Sequence, residues 1–150
     1  MKAVCGALLS CGALLALAVS QAGAQKSGRE IYAELAKAPE KARERANPLE
    51  NDGEAIAAGR LLFEDHCAEC HGDTAEGGSG RKRGPSLRAR EVQNAKPGAI
   101  FWVLTNGVVR KGMPVWSRLP EPQRWQLVKY IKSLGVREDG DARRAETQNR

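Results

Sequence analysis

Three stretches of the chain carry apolar residues at helical spacing, separated by polar, glycine-rich segments. In the first, Ala55, Ile56, Gly59, Leu62 and Phe63 line one side of a helix predicted over residues 53–65, with Asp52 placed to cap it. A glycine inside that helix costs about 1 kcal/mol relative to Ala, so Gly59 predicts a second helix in close approach. The second stretch, Gly98 to Asn106, is apolar nearly all round and is predicted to be buried. Its shortness and its β-formers also allow a strand. A lone strand would have no partner here, and Gly107 suits the position just past a helix end, so a helix is preferred. The third runs from Glu121 to Leu134, with Pro122 in its first turn and Gly135 as its expected stop. Trp125, Leu127, Val128, Ile131 and Leu134 form its broad apolar face.

This pattern predicts an all-α domain over residues 52–135. Residues 25–51 are rich in Lys, Arg, Glu and Ala, and read as a charged, partly disordered leader lying loosely on the domain. Ile31, Tyr32 and Leu35 could stripe one short helix there, broken by Pro39, with a turn at Asn47-Pro48. A disordered tail is expected over 136–150, which is charged and small. At the start, Lys2, the uncharged run Ala3 to Ser20 and the small-x-small site Ala22-Gly23-Ala24 read as a signal peptide over 1–24, cleaved after Ala24. The expected location is periplasmic. An uncleaved signal holding the chain in the inner membrane is the alternative, disfavoured because Ala and Gly make the run weakly apolar.

Composition changes this picture little. A chain of 150 residues has room for one domain, and 24 Lys+Arg against 18 Asp+Glu give a formal charge of +6. That excess suits an acidic protein partner or plain solubility, and no aromatic-interleaved basic stripe suggests nucleic acid. The cysteine count matters more. Cys5 and Cys11 would leave with the signal, so the mature chain keeps Cys67 and Cys70 alone, with Met113 as its one methionine.

Those two thiols stand in Cys67-Ala68-Glu69-Cys70-His71, the attachment signature of c-type haem. Residues three apart share a helix face, so both sulfurs can reach one porphyrin edge and form thioethers with its two vinyl groups. His71 would then lie beneath the iron as a neutral axial ligand. A structural zinc site would have to draw four ligands from six consecutive positions, and a redox dithiol would need a βαβ setting; both remain as alternatives. Met113, between Gly112 and Pro114, is the candidate sixth ligand, with core packing as its alternative role. His66 reads as a surface residue. The triplet Arg81-Lys82-Arg83 reads either as a solvated loop or as a patch for docking a partner.

Residues 52 to 135 resemble class I bacterial cytochromes c. Gly59, Phe63 and Cys67 repeat the Gly-x3-aromatic-x3-Cys spacing of that family's N-terminal helix, and Leu127 and Tyr130 look like the C-terminal helix positions that cross the glycine. Gly84-Pro85-Ser86-Leu87 is similar to the loop whose proline carbonyl accepts a hydrogen bond from the proximal histidine, and Gly112-Met113-Pro114 matches the distal ligand loop. The resemblance implies a small cytochrome c fold, with crossing terminal helices around one covalent haem c. Cys67, Cys70, Pro85 and Leu87 would bind the haem, and His71 and Met113 would ligate its iron. The interval from His71 to Met113 (113 − 71 = 42 residues) is similar to the small bacterial members. Arg88 and Arg90 fall near the family's haem-propionate partners.

The expected function is electron transfer rather than catalysis, with no small-molecule substrate and with redox proteins as partners. Asn47-Pro48, Phe101-Trp102, Met113-Pro114-Val115-Trp116 and Trp125-Gln126-Leu127 resemble cytochromes that serve periplasmic quinoprotein dehydrogenases. A quinoprotein dehydrogenase is thus the expected donor and a terminal oxidase the expected acceptor. The rivals are a haem subunit fixed in a larger dehydrogenase complex, and a haem enzyme or sensor with an open sixth site.

Overall fold

The computed structural model describes the backbone of residues 32–80 and 83–148, and side chains as far as Gly135. The predicted signal, Ile31 and the first two members of the basic triplet lie outside the described residues. In chain order the elements are α1 (Ala33–Ala36), α2 (Glu40–Arg43), α3 (Ala55–His66), α4 (Ala68–His71), α5 (Arg90–Gln93), α6 (Pro97–Asn106), a 3-10 turn (Val109–Lys111) and α7 (Glu121–Gln148). No strand occurs among the described residues; the nearest thing is one antiparallel bridge between Val108 and Met113. The fold is all-α, as the periodicity predicts.

The domain is organised by α3 crossing α7. A side-chain carbon at Gly59 would stand 2.1 Å from the Gln126 carbonyl oxygen and 2.9 Å from Tyr130 Cβ, so only glycine permits this approach. Gln126 and Tyr130 therefore cover the glycine, whereas Leu127, expected there, turns into the core and is fully buried. Phe63, Trp125, Leu127 and Val128 are the largest fully buried side chains, and Phe63 packs edge-tilted on Tyr130 at 5.3 Å. Helix α6 closes the other side, with Phe101 stacked on Trp125 at 4.0 Å. Gly107 ends α6 with φ +65, as its position implied.

Two expectations are corrected. Helix α7 does not stop at Gly135; its backbone stays helical to Gln148, through most of the expected disordered tail. Gly135 serves packing instead, because a Cβ there would meet the Gln93 side chain at 2.5 Å. Gln93 Nε2 uses that space to donate to the carbonyls of Leu87 and Ile131.

Nor does the leader lie loosely from Tyr32 onward. Gly98 lets α6 approach α2 so closely that a Cβ would stand 2.1 Å from the Ala42 carbonyl oxygen. Arg45 lies over the Phe101 and Trp125 rings at 4.8 and 5.2 Å and pairs with Glu121. Asn47 is buried; its amide donates to the Trp125 carbonyl at 3.1 Å and its oxygen accepts from Leu49 N–H at 2.9 Å. The segment is rich in charge, but its charges face outward around a few polar anchors that point in. Asn47→Ala strands the Leu49 donor and is expected to lower the unfolding free energy by about 2 kcal/mol, read from the urea midpoint.

Candidate haem-binding site

Cys67 sits at the junction of α3 and α4, its N–H donating to the Phe63 carbonyl at 2.8 Å. Its own carbonyl accepts from Cys70 and His71 at 3.1 and 2.9 Å, which winds the motif into a single turn. Gly72, at φ +79, ends that turn and lets the chain fold back. Loop residues return to the motif: Gly77 N–H donates to the His71 carbonyl at 2.8 Å, and Gly84 N–H to the Cys70 carbonyl at 2.7 Å.

That return brings Pro85 to His71. The ring nitrogen Nδ1 lies 2.8 Å from the Pro85 carbonyl oxygen, so Nδ1 carries the proton and Nε2 keeps its lone pair. Gly84 makes this close approach possible, since a Cβ there would press on the imidazole at 2.9 Å. Burial pushes the His71 pKa below the ordinary imidazole value, while the bond to Pro85 acts the other way. The neutral ring that iron requires is thus favoured.

The thiols are equally specific in character. Cys67 is buried and Cys70 half-buried, and neither is in a disulfide. Burial, with Cys70 beside it, pushes the Cys67 thiol up to about 12. A redox dithiol needs the opposite, a thiol whose pKa is depressed. Among the described residues no three His, Cys, Asp or Glu side chains are grouped to hold a metal ion, which removes the support for zinc. The residues instead fit a c-type haem: two free thiols on one turn, and a neutral imidazole aimed by a carbonyl. Leu87, Met113, Trp116 and Leu119 add apolar side chains that are only half-buried yet pack on the core.

Met113 is held by the chain that follows α6. Val108 and Met113 exchange backbone hydrogen bonds of 3.0 and 3.2 Å, and Trp116 N–H donates to the Leu104 carbonyl at 3.1 Å. The loop thus hangs from the end of α6. Gly107 is required there, because a Cβ would meet the Pro114 carbonyl oxygen at 2.6 Å. His66 is exposed, as expected, with its ring 5.2 Å from that of Trp116.

Other residues shape the site without any signal in the motif. Ala75 is fully buried at φ +61, a conformation that L-residues rarely adopt, and its carbonyl receives Leu87 N–H at 2.8 Å. Arg88 donates to the carbonyls of Thr74 and Leu134 at 2.7 and 3.0 Å, which uses two of its five N–H groups. Arg90 is exposed at the start of α5. Arg83, the described member of the triplet, is exposed and reaches the Gly78 carbonyl.

Comparison with known proteins places this geometry. The family described as Cytochrome C oxidase, cbb3-type, subunit III matches residues 54–131. The chain is 33% identical over 91 residues to the Cbb3-type cytochrome c oxidase subunit CcoP of Azospirillum sp. (strain B510), covering 56% of this chain and 30% of that protein. It is 30% identical over 95 residues to the same-named subunit of Azospirillum brasilense, covering 59% of this chain and 32% of that protein. The chain thus spans about a third of the length of these relatives.

Proposed function

This chain belongs to the cbb3-type cytochrome c oxidase subunit III family, a family of c-type cytochromes, and we propose that it carries one haem c joined covalently through Cys67 and Cys70, with His71 and Met113 as axial ligands. A haem-based electron carrier is what the family implies; the ligand set and the partners are our own reading. Bound in this way, the haem would supply a one-electron Fe(III)/Fe(II) couple. The chain's residues do the rest. Pro85 holds the proton of His71 on Nδ1 and aims the ring. The Val108–Met113 bridge presents the thioether from a braced loop. With His71 and Met113 both holding the iron, no position would be left for a substrate, so the proposed role is electron transfer rather than catalysis.

The contact of His71 with Pro85, on the same turn as two free thiols, carries this reading. The oxidase relatives favour a terminal oxidase as the electron acceptor, and the quinoprotein dehydrogenase expected as donor finds no support among them. We place the protein in the periplasm on the strength of the predicted signal. Among the described residues, no helix is long and apolar enough to cross a membrane.

Covalent attachment is tested on the denatured protein. The wild type should retain haem after acid–acetone extraction and show no titratable thiol from Cys67 or Cys70. The Cys67→Ser/Cys70→Ser double variant should release all of its haem. Extraction of haem from the wild type would refute thioether linkage.

A further inference from the structure

The segment ahead of the predicted domain reaches both loops that serve the proposed ligands. The Tyr32 hydroxyl donates to the Ser86 carbonyl at 3.0 Å, and Ser86 directly follows Pro85, the residue that takes up the His71 ring. Two positions after Tyr32, the Glu34 carboxylate lies 3.9 Å from Lys111 Nζ and 2.8 Å from Lys37 Nζ. Lys111 ends the 3-10 turn, two residues before Met113. Loops separated by some twenty-five residues of sequence are thus held by side chains two residues apart on one short segment.

Both contacts suit a fixed tie. Tyr32 is half-buried and packs on the core, and burial, with Glu91 nearby, pushes its phenol pKa above the ordinary value, so it remains a donor at neutral pH. Glu34 faces three cations: the hydrogen bond from Lys37 holds its carboxyl below the usual range first, and Lys37, Lys111 and Arg110 act in the same direction. The carboxylate therefore stays charged and keeps its attraction for the distal loop.

We propose that residues 32–36 form a strap that ties the Pro85–Ser86 loop to the Val109–Met113 loop, with Tyr32 and Glu34 as positioning residues that keep the two axial ligands in register. This rests on the proposed His71/Met113 pair. The strap explains why a charged segment outside the cytochrome-like region is docked at all.

The test reads each substitution at the loop it does not touch. In the haem-loaded full chain, Tyr32→Phe should raise amide exchange at Val108 and Met113 as well as at Leu87. Glu34→Gln should raise exchange at Leu87 as well as at Met113. For Tyr32→Phe the expected change is about fivefold, the ratio that one hydrogen bond of ordinary net strength supplies; for Glu34→Gln, which weakens a 3.9 Å ion pair at the surface, it is about twofold. Amides within the α3–α7 crossing should keep their wild-type rates. Added imidazole should displace the methionine at about fivefold lower concentration in Tyr32→Phe and about twofold lower in Glu34→Gln. Loosening of only the near loop, of neither loop, or of all amides together would overturn the strap. If the wild type shows no methionine ligation, the ligand assignment fails, while the exchange pattern still decides the strap by itself.

Discussion

Met113→Ala is expected to abolish the sulfur-to-iron band at the red end of the ferric spectrum and to lower the reduction potential by a sizeable part of the roughly 0.8 V range that axial ligands command. A thioether stabilises the ferrous state relative to water or hydroxide, and an apolar surround acts in the same direction by disfavouring the more charged ferric iron. The substitution should act at the iron and not on the loop, because the bonds between Val108 and Met113 are made by backbone atoms. The variant should also bind cyanide or imidazole without the delay of displacing a ligand. Spectroelectrochemistry on the paired proteins decides the matter. An unchanged band and potential would return Met113 to the role of a half-buried packing residue and leave the sixth position to something else.

Gly59→Ala has the largest expected effect on folding. By helix propensity alone it should stabilise α3 by about 1 kcal/mol. The new carbon, however, would stand 2.1 Å from the Gln126 carbonyl oxygen and 2.6 Å from its carbon. Those are backbone atoms of α7 and cannot rotate aside, so the helices must separate and the packing of Phe63 on Tyr130 must loosen. Overpacking of this kind costs about 1–3 kcal/mol, and separation of the main crossing adds to it. We expect a net loss of about 2 kcal/mol in denaturant unfolding. Gly53→Ala is the control, since nothing lies within 4 Å of its added carbon. A Gly59→Ala protein as stable as the wild type would show that α3 and α7 can slide apart freely.

The same glycine shows how far periodicity reaches. Gly59 interrupts a strong helical pattern, so its cost calls for a close neighbour, and the neighbour is there. Gly135 carried no such warning. It stands where an apolar stripe ends, which is equally the place of a helix stop, and only the Gln93 side chain lying against it reveals a packing glycine. Asn47 misleads for a related reason: beside Pro48 it reads as a turn, and burial of its amide against Trp125 depends on a partner 78 residues away. Composition describes what most of residues 32–51 do, which is to face solvent, and misses the few side chains that anchor the segment.

What the sequence determined by itself was local. The spacing of Cys67, Cys70 and His71, the apolar stripes of three helices, and the glycine and proline beside Met113 are all set within a few turns of chain. Neighbouring residues share a face by helix geometry alone, so no distant contact is needed to read them. The tertiary structure decided which distant groups meet. It brought the Pro85 carbonyl to 2.8 Å from His71, bent Ala75 into a left-handed conformation to receive Leu87, and folded Tyr32 against Ser86. Each of these joins segments whose approach depends on close packing elsewhere, above all where α7 lies across Gly59. The motif therefore names the chemistry early, while the atoms that hold its histidine in place are chosen by the fold.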